Sequence, residues 1–143
     1  MLVDANVLLY SVDEDSPFHA AARDWMVDAL NGAQRVAIPW QSLWAFVRIV
    51  TNPRAIARPL SPREAWEHVE DWLDAPATWV PAPGRGHREI LGAMLVDRDL
   101  RAGLVSDAVL AAICVEHGLA VVSADSDFAR FPEVEWMNPT LVR

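Results

Sequence analysis

The sequence predicts an α/β fold, in which a mainly parallel central sheet carries helices on both faces. Short apolar runs alternate along the chain with longer segments whose apolar residues recur at helical spacing, the pattern of a parallel sheet covered on both sides. Three apolar runs lead into an aspartate: Leu2-Val3-Asp4, Leu104-Val105-Ser106-Asp107 and Ala120-Val121-Val122-Ser123-Ala124-Asp125. Residues at the C-terminal ends of parallel strands converge on one rim, where such folds bind ligands.

The elements follow in order. Leu2 to Asp4 is the first strand, and Asn6 to Tyr10 continues it as a turn into a short helix or as a strand end. Ser16-Pro17 offers an N-cap and a proline at N1 for an amphipathic helix carrying Phe18, Ala21, Ala22, Trp25, Met26, Ala29 and Leu30, which Gly32 ends. Arg35 to Pro39 is the second strand, followed by a mostly buried helix over about residues 40–51 that Pro53 stops. Ser61-Pro62-Arg63-Glu64 matches a capping box, and Trp66, Val69, Trp72 and Leu73 form one stripe of the helix it starts. Thr78 to Pro81 is the third strand. Residues 86–100 form a helix with Ile90, Leu91, Met94 and Leu95 facing inward. Ser106 caps the next helix, which runs from Asp107 to Glu116 and ends at Gly118. Ala120 to Ser123 is the fourth strand, Asp125 to Phe131 a short turn or helix, and Val134 to Met137 a last strand.

With 143 residues the chain is the size of one compact domain, and residues 1–143 are read as that domain. Hydrophobic residues at 52% and charged residues at 22% exclude a disordered chain. The N-terminus is an apolar strand without a basic leader, and no apolar stretch approaches a membrane span, so the expectation is a cytoplasmic protein with no membrane contact. Cys114, the one cysteine, lies in an apolar helix and reads as a small packed hydrophobe. His19, His68, His87 and His117 lack metal-ligand spacing and read as structural or surface residues. A net charge of −8 opposes non-specific nucleic-acid binding. The exception is the stretch from Val47 to Arg63, which holds Arg48, Arg54, Arg58 and Arg63 and no acid.

Converging carboxylates suit a hard cation such as Mg²⁺, which takes oxygen ligands and keeps several waters. Each aspartate alone is equally at home as a turn or helix-capping residue. Their joint placement is what points to a metal. Asn6 either orients Asp4 or makes the turn that leaves the strand, and Ser123 has the same two readings. Arg48 is either an ion-pairing, snorkelling residue or a phosphate contact. Among the seven tryptophans, Trp25, Trp66 and Trp72 fall on apolar helical stripes, whereas Trp40 and Trp44 are neighbours on one face that suits a dimer partner or another protein.

The segments Leu2 to Tyr10, Leu104 to Ala108 and Val122 to Phe128, in this order and spacing, resemble the PIN-domain ribonucleases and, more narrowly, the VapC-type toxins of toxin–antitoxin pairs. Ala45 to Arg54 and the closing Phe131-Pro132 to Asn138-Pro139 resemble one sub-group of that family. The resemblance implies a PIN-like three-layer α/β/α sandwich and hydrolysis of RNA phosphodiester bonds dependent on Mg²⁺, with Mn²⁺ as a substitute. It assigns the catalytic, metal-holding aspartates to Asp4, Asp107 and Asp125. Asp127, Asn6 and Ser123 take accessory places, and Arg48 and Arg54 are candidate contacts to RNA phosphate. It also implies a homodimer and a small cognate antitoxin whose basic C-terminal tail enters the acidic groove.

One departure stands out. Many PIN nucleases carry a Glu where this chain has Ala45, and no carboxylate between Asp28 and Glu64 can replace it. The departure bears on a second metal ion more than on nuclease chemistry. The alternative is a catalytically weakened PIN-like module that binds RNA or a protein. Three retained aspartates argue against it, because clustered like charge gains nothing without a metal. A phosphatase or phosphotransfer receiver would need a Lys, and every cationic residue here is Arg.

Overall fold

The computed structural model describes residues 1–141. Five two-residue strands form one sheet: β1 (Leu2–Val3), β2 (Val36–Ala37), β3 (Thr78–Trp79), β4 (Val121–Val122) and β5 (Trp136–Met137). All pairings are parallel and the order is β3-β2-β1-β4-β5. The chain therefore lays strands outward on one side of β1 and then crosses back to build β4 and β5 on the other. The order reverses between β1 and β4, and the crevice beyond their C-terminal ends is the switch point of the sheet.

Strand alternation splits the core into two layers. Val3, Val36 and Val122 face one side and pack with α1 (Ala5–Val12), α2 (His19–Leu30), α3 (Trp40–Val50) and α4 (Pro62–Asp74). Leu2, Ala37 and Val121 face the other and pack with α5 (His87–Asp97) and α6 (Gly103–His117). The result is the expected α/β/α sandwich. Among the described residues, no helix is long and apolar enough to cross a membrane.

Most helix boundaries follow their local signals. Ser61 and Glu64 complete the capping box, each side chain accepting from the other's backbone N–H at 3.1 and 3.0 Å. Gly118, with φ of 68°, closes α6 in the left-handed conformation that glycine tolerates. Cys114 is buried, and burial raises its thiol to about 12, which suits a packed hydrophobe.

Of the two readings for the segment after β1, the short helix holds: it is α1, with Asp4 as its N-cap. Three expectations change. Ser16 does not cap α2: its Oγ takes the N–H of Phe18, so Ser16-Pro17 forms a turn and the helix starts at His19. Nor does Ser106 cap α6. That helix starts a turn earlier at Gly103, so Asp107 lies within it, and its entry passes through Ala102 at φ 51°, a conformation strained for a residue with a Cβ. Trp66 leaves the apolar stripe of α4: it is 46% exposed and stacks on Trp40 with ring centroids 6.3 Å apart. Its Nε1 donates to Glu70, so the rim of the stripe gives it a polar partner that the core lacks.

Glu116 lies near the C-terminal end of α6. It is not a free helix-end acid, because its carboxylate accepts the backbone N–H groups of Gly84 and Gly86 at 2.8 and 3.0 Å. These bonds tie the loop before α5 to the end of α6 and hold the carboxyl below its ordinary range.

Candidate metal centre

Asp4 follows β1, Ser123 to Asp125 follow β4, and these strands are neighbours, so the sheet register alone brings their side chains together. The Oδ1 of Asp4 accepts the N–H of Ala5 at 2.7 Å and thereby starts α1. Its Oδ2 accepts from Ser123 Oγ at 2.7 Å and from Asn6 Nδ2 at 3.2 Å. Asn6 spans the two strand ends: its Nδ2 also donates to Ser123 Oγ, and its Oδ1 accepts the N–H of Ala124. Both readings of Asn6 therefore hold, since it orients Asp4 and shapes the turn.

Ser123 is fully buried and sits at the hub, its Oγ also accepting the N–H of Asp125 at 3.0 Å. Asp125 in turn accepts the N–H of Asp127 at 2.8 Å and caps the 3-10 turn Ser126–Arg130. That small turn swings Asp127 back to the side of Asp125. Carboxylate oxygens of Asp107, Asp125 and Asp127 lie within 4.8 Å of one another. Asp107 reaches the group from α6, on the far side of the crevice. Sequence reasoning gave Asp127 an accessory place; the folded chain brings it into the cluster, while Asp4 stands beside it.

The electrostatics are unbalanced. Burial, followed by the charges of Asp125, Asp4 and Asp127, pushes Asp107 up from 3.8 to about 7. Burial also raises Asp4, against the lowering effect of its hydrogen bonds from Ser123 and Ala5. Among the described residues no ion pair involves Asp4, Asp107 or Asp125, and the one cation paired with the group is the exposed Arg130, 3.6 Å from Asp127. Oxygen-only donors, close together and short of positive charge, form a donor set that fits a hard divalent cation.

A cleft of about 160 Å³ opens beside the acids, lined by Asp4 and Asp107 together with Gln41, Trp44, Ala45 and Arg48 of α3. Ala45 thus lines the same cleft as Asp4 and Asp107 and brings no carboxylate to it. Arg48 is exposed at the cleft, its guanidinium 6.0 Å from the ring centroid of Trp44. Arg54 lies on the exposed turn after α3, away from the cleft lining, with its N–H bonded to Asn52. Arg58 is committed to Asp15 and Glu14. A larger cavity of about 470 Å³ between the end of α1 and α4 contains those paired acids and does not reach the aspartate cluster.

Sequence reasoning missed Ser42. Its buried Oγ donates to the carbonyl of Val3 at 2.7 Å, which fastens α3 to the strand that presents Asp4. A small polar residue on a buried helical face was the only signal. Ser123→Ala is expected to lower any metal-dependent activity by about 10- to 100-fold, as loss of a residue that orients ligands does. It also leaves the Oδ2 of Asp4 with Asn6 as its sole partner, at a cost of about 1–3 kcal/mol. Initial rates and thermal melts of the variant check both numbers.

The sequence profile of the PIN domain matches residues 1–134. The chain is 46% identical over 138 residues to ribonuclease VapC37 of Mycobacterium tuberculosis, covering 96% of each chain. It is 34% identical over 139 residues to ribonuclease VapC33 of the same species, covering 97% of each. The fold is similar to that in the crystal structure of VapBC2 from Rickettsia felis bound to a promoter DNA fragment, with a TM-score of 0.70 over 96% of each chain at 13% identity.

Proposed function

The chain belongs to the PIN-domain family, and from that premise we propose that it is a VapC-type ribonuclease, the toxin of a toxin–antitoxin pair, acting as one metal-dependent nuclease domain. The observation that carries the reading is the cluster of Asp107, Asp125 and Asp127 beside Asp4 at the switch point of the sheet. Full-length similarity to proteins named as ribonucleases supports the same reaction class.

Asp107, Asp125 and Asp127 would hold a Mg²⁺ ion, or Mn²⁺ in its place, with Asp4 as the fourth carboxylate of the set. Bound there, the ion offsets charge on the scissile phosphate and lowers the pKa of an attacking water. The chain's own contribution is to fix the acids in advance. Ser123 and Asn6 hold Asp4, Asp4 starts α1, and Asp125 positions Asp127 through its backbone. Arg48, at the edge of the cleft, and Arg54, further along the basic stretch, would meet RNA phosphates. Ala45 leaves the cleft one carboxylate short, which favours a single ion.

The partners follow from charge. A −8 chain with an acidic crevice attracts a basic peptide, and a small antitoxin with a basic C-terminal tail would cover metal site and RNA groove together. The toxin itself would work as a homodimer in the cytoplasm. Incubation of purified protein with single-stranded RNA tests the reading: cutting is expected with Mg²⁺, and loss of it with EDTA or in Asp4→Asn. Undiminished cutting in EDTA would sink the metal-dependent mechanism.

A further inference from the structure

We infer that Trp44 is a base-stacking residue that seats an unpaired nucleotide in the cleft, with Arg48 gripping the adjoining phosphate. This rests on the ribonuclease reading above and adds to it a residue that holds the substrate. Trp40, Trp44 and Arg48 follow one another at four-residue intervals along α3, so they share one side of the helix. Trp40 has a partner already, the ring of Trp66. Trp44 has none of that kind: it is 57% exposed and lines the same cleft as Asp4 and Asp107. More than half of Trp44 stays open to solvent beside the acids, where an occupant of the cleft can cover it.

Charge selects the occupant. Arg48 lies beside the indole and has no carboxylate partner among the described ion pairs. A second copy of this chain docked about a two-fold axis at Trp44 would bring another Arg48 to the same place. A nucleotide satisfies both groups, because every base has a π-face for the indole and every linkage an anion for the guanidinium. Bases in a duplex already stack on each other and would not reach Trp44, which sets the preference for unpaired RNA.

Steady-state cleavage of a labelled single-stranded RNA in Mg²⁺ by wild type, Trp44→Ala and Trp44→Phe, with sedimentation of each protein, tests the assignment. Trp44→Ala is expected to raise KM about tenfold or more while kcat changes little. Trp44→Phe keeps a ring and stays near the wild-type KM, and all three proteins sediment alike. A wild-type KM in Trp44→Ala overturns the inference and leaves the ribonuclease reading intact. A raised KM that accompanies a change in oligomeric state also overturns it, since the face then belongs to a protein partner. RNA left uncut by wild type defeats both readings together.

Discussion

Asp107→Asn is expected to cut RNA at less than about one hundredth of the wild-type rate, because a ligand contributes more than the outer residues whose loss costs 10- to 100-fold. The same substitution is expected to raise the melting temperature of the metal-free protein near pH 8. Asparagine keeps the shape of the side chain and removes one of four carboxylates packed without adequate countercharge. Opposite signs for activity and stability mark a residue held in place for chemistry at a cost to the fold. Gel-resolved initial rates and melts in EDTA measure the two effects. An Asp107→Asn protein that melts lower than wild type, or that cuts normally, contradicts this account of the residue.

The second large effect is on pH. In the metal-free protein Asp107 titrates at about 7, against 3.8 for an ordinary aspartate. Between those values the folded chain holds a proton that the unfolded chain has released, so unfolding becomes easier as pH rises through the window. Above about 7 both states are ionised and the folded one carries the repulsion in full. Asp4, also raised by burial, acts in the same direction. Asp15, Glu64, Glu116 and Glu133 are all lowered, and their stabilising effect is lost only as pH falls below the ordinary carboxylate range. They do not mask the trend above about pH 5. Melting temperature in EDTA should therefore fall from about pH 5 to about pH 8. Added Mg²⁺ should restore it, more at the higher pH, since the ion binds the ionised acids. A melting temperature flat across that range, with or without Mg²⁺, would count against the cluster as described.

Much of this was legible in the sequence because its signals are local. Strand alternation separates Leu2 from Val3 and Val121 from Val122, which sets the two layers of the core. The capping box at Ser61 and the glycine at 118 mark helix ends through bonds within four residues. The rim position of Asp4 and Asp125 follows from the parallel sheet. What was not legible depends on contacts distant in sequence. Ser42 and Val3 are 39 residues apart, and Glu116 reaches back to Gly84 across 32. The start of α6 was misplaced because a strained alanine, not a capping side chain, turns the chain into it. Helical spacing put Trp66 on an apolar stripe but could not tell the middle of the stripe from its rim. Asp127 entered the cluster through an aspartate turn whose direction depends on Asp125 being held by Ser123.

The central claim is that the rim acids form one divalent-cation site. An anomalous-difference map from a crystal soaked in Mn²⁺ tests it most directly. One peak bounded by the carboxylates of Asp107, Asp125 and Asp127, and absent from an Asp125→Asn crystal, is the result this account predicts. A Mn²⁺ peak elsewhere with none among these carboxylates would contradict it.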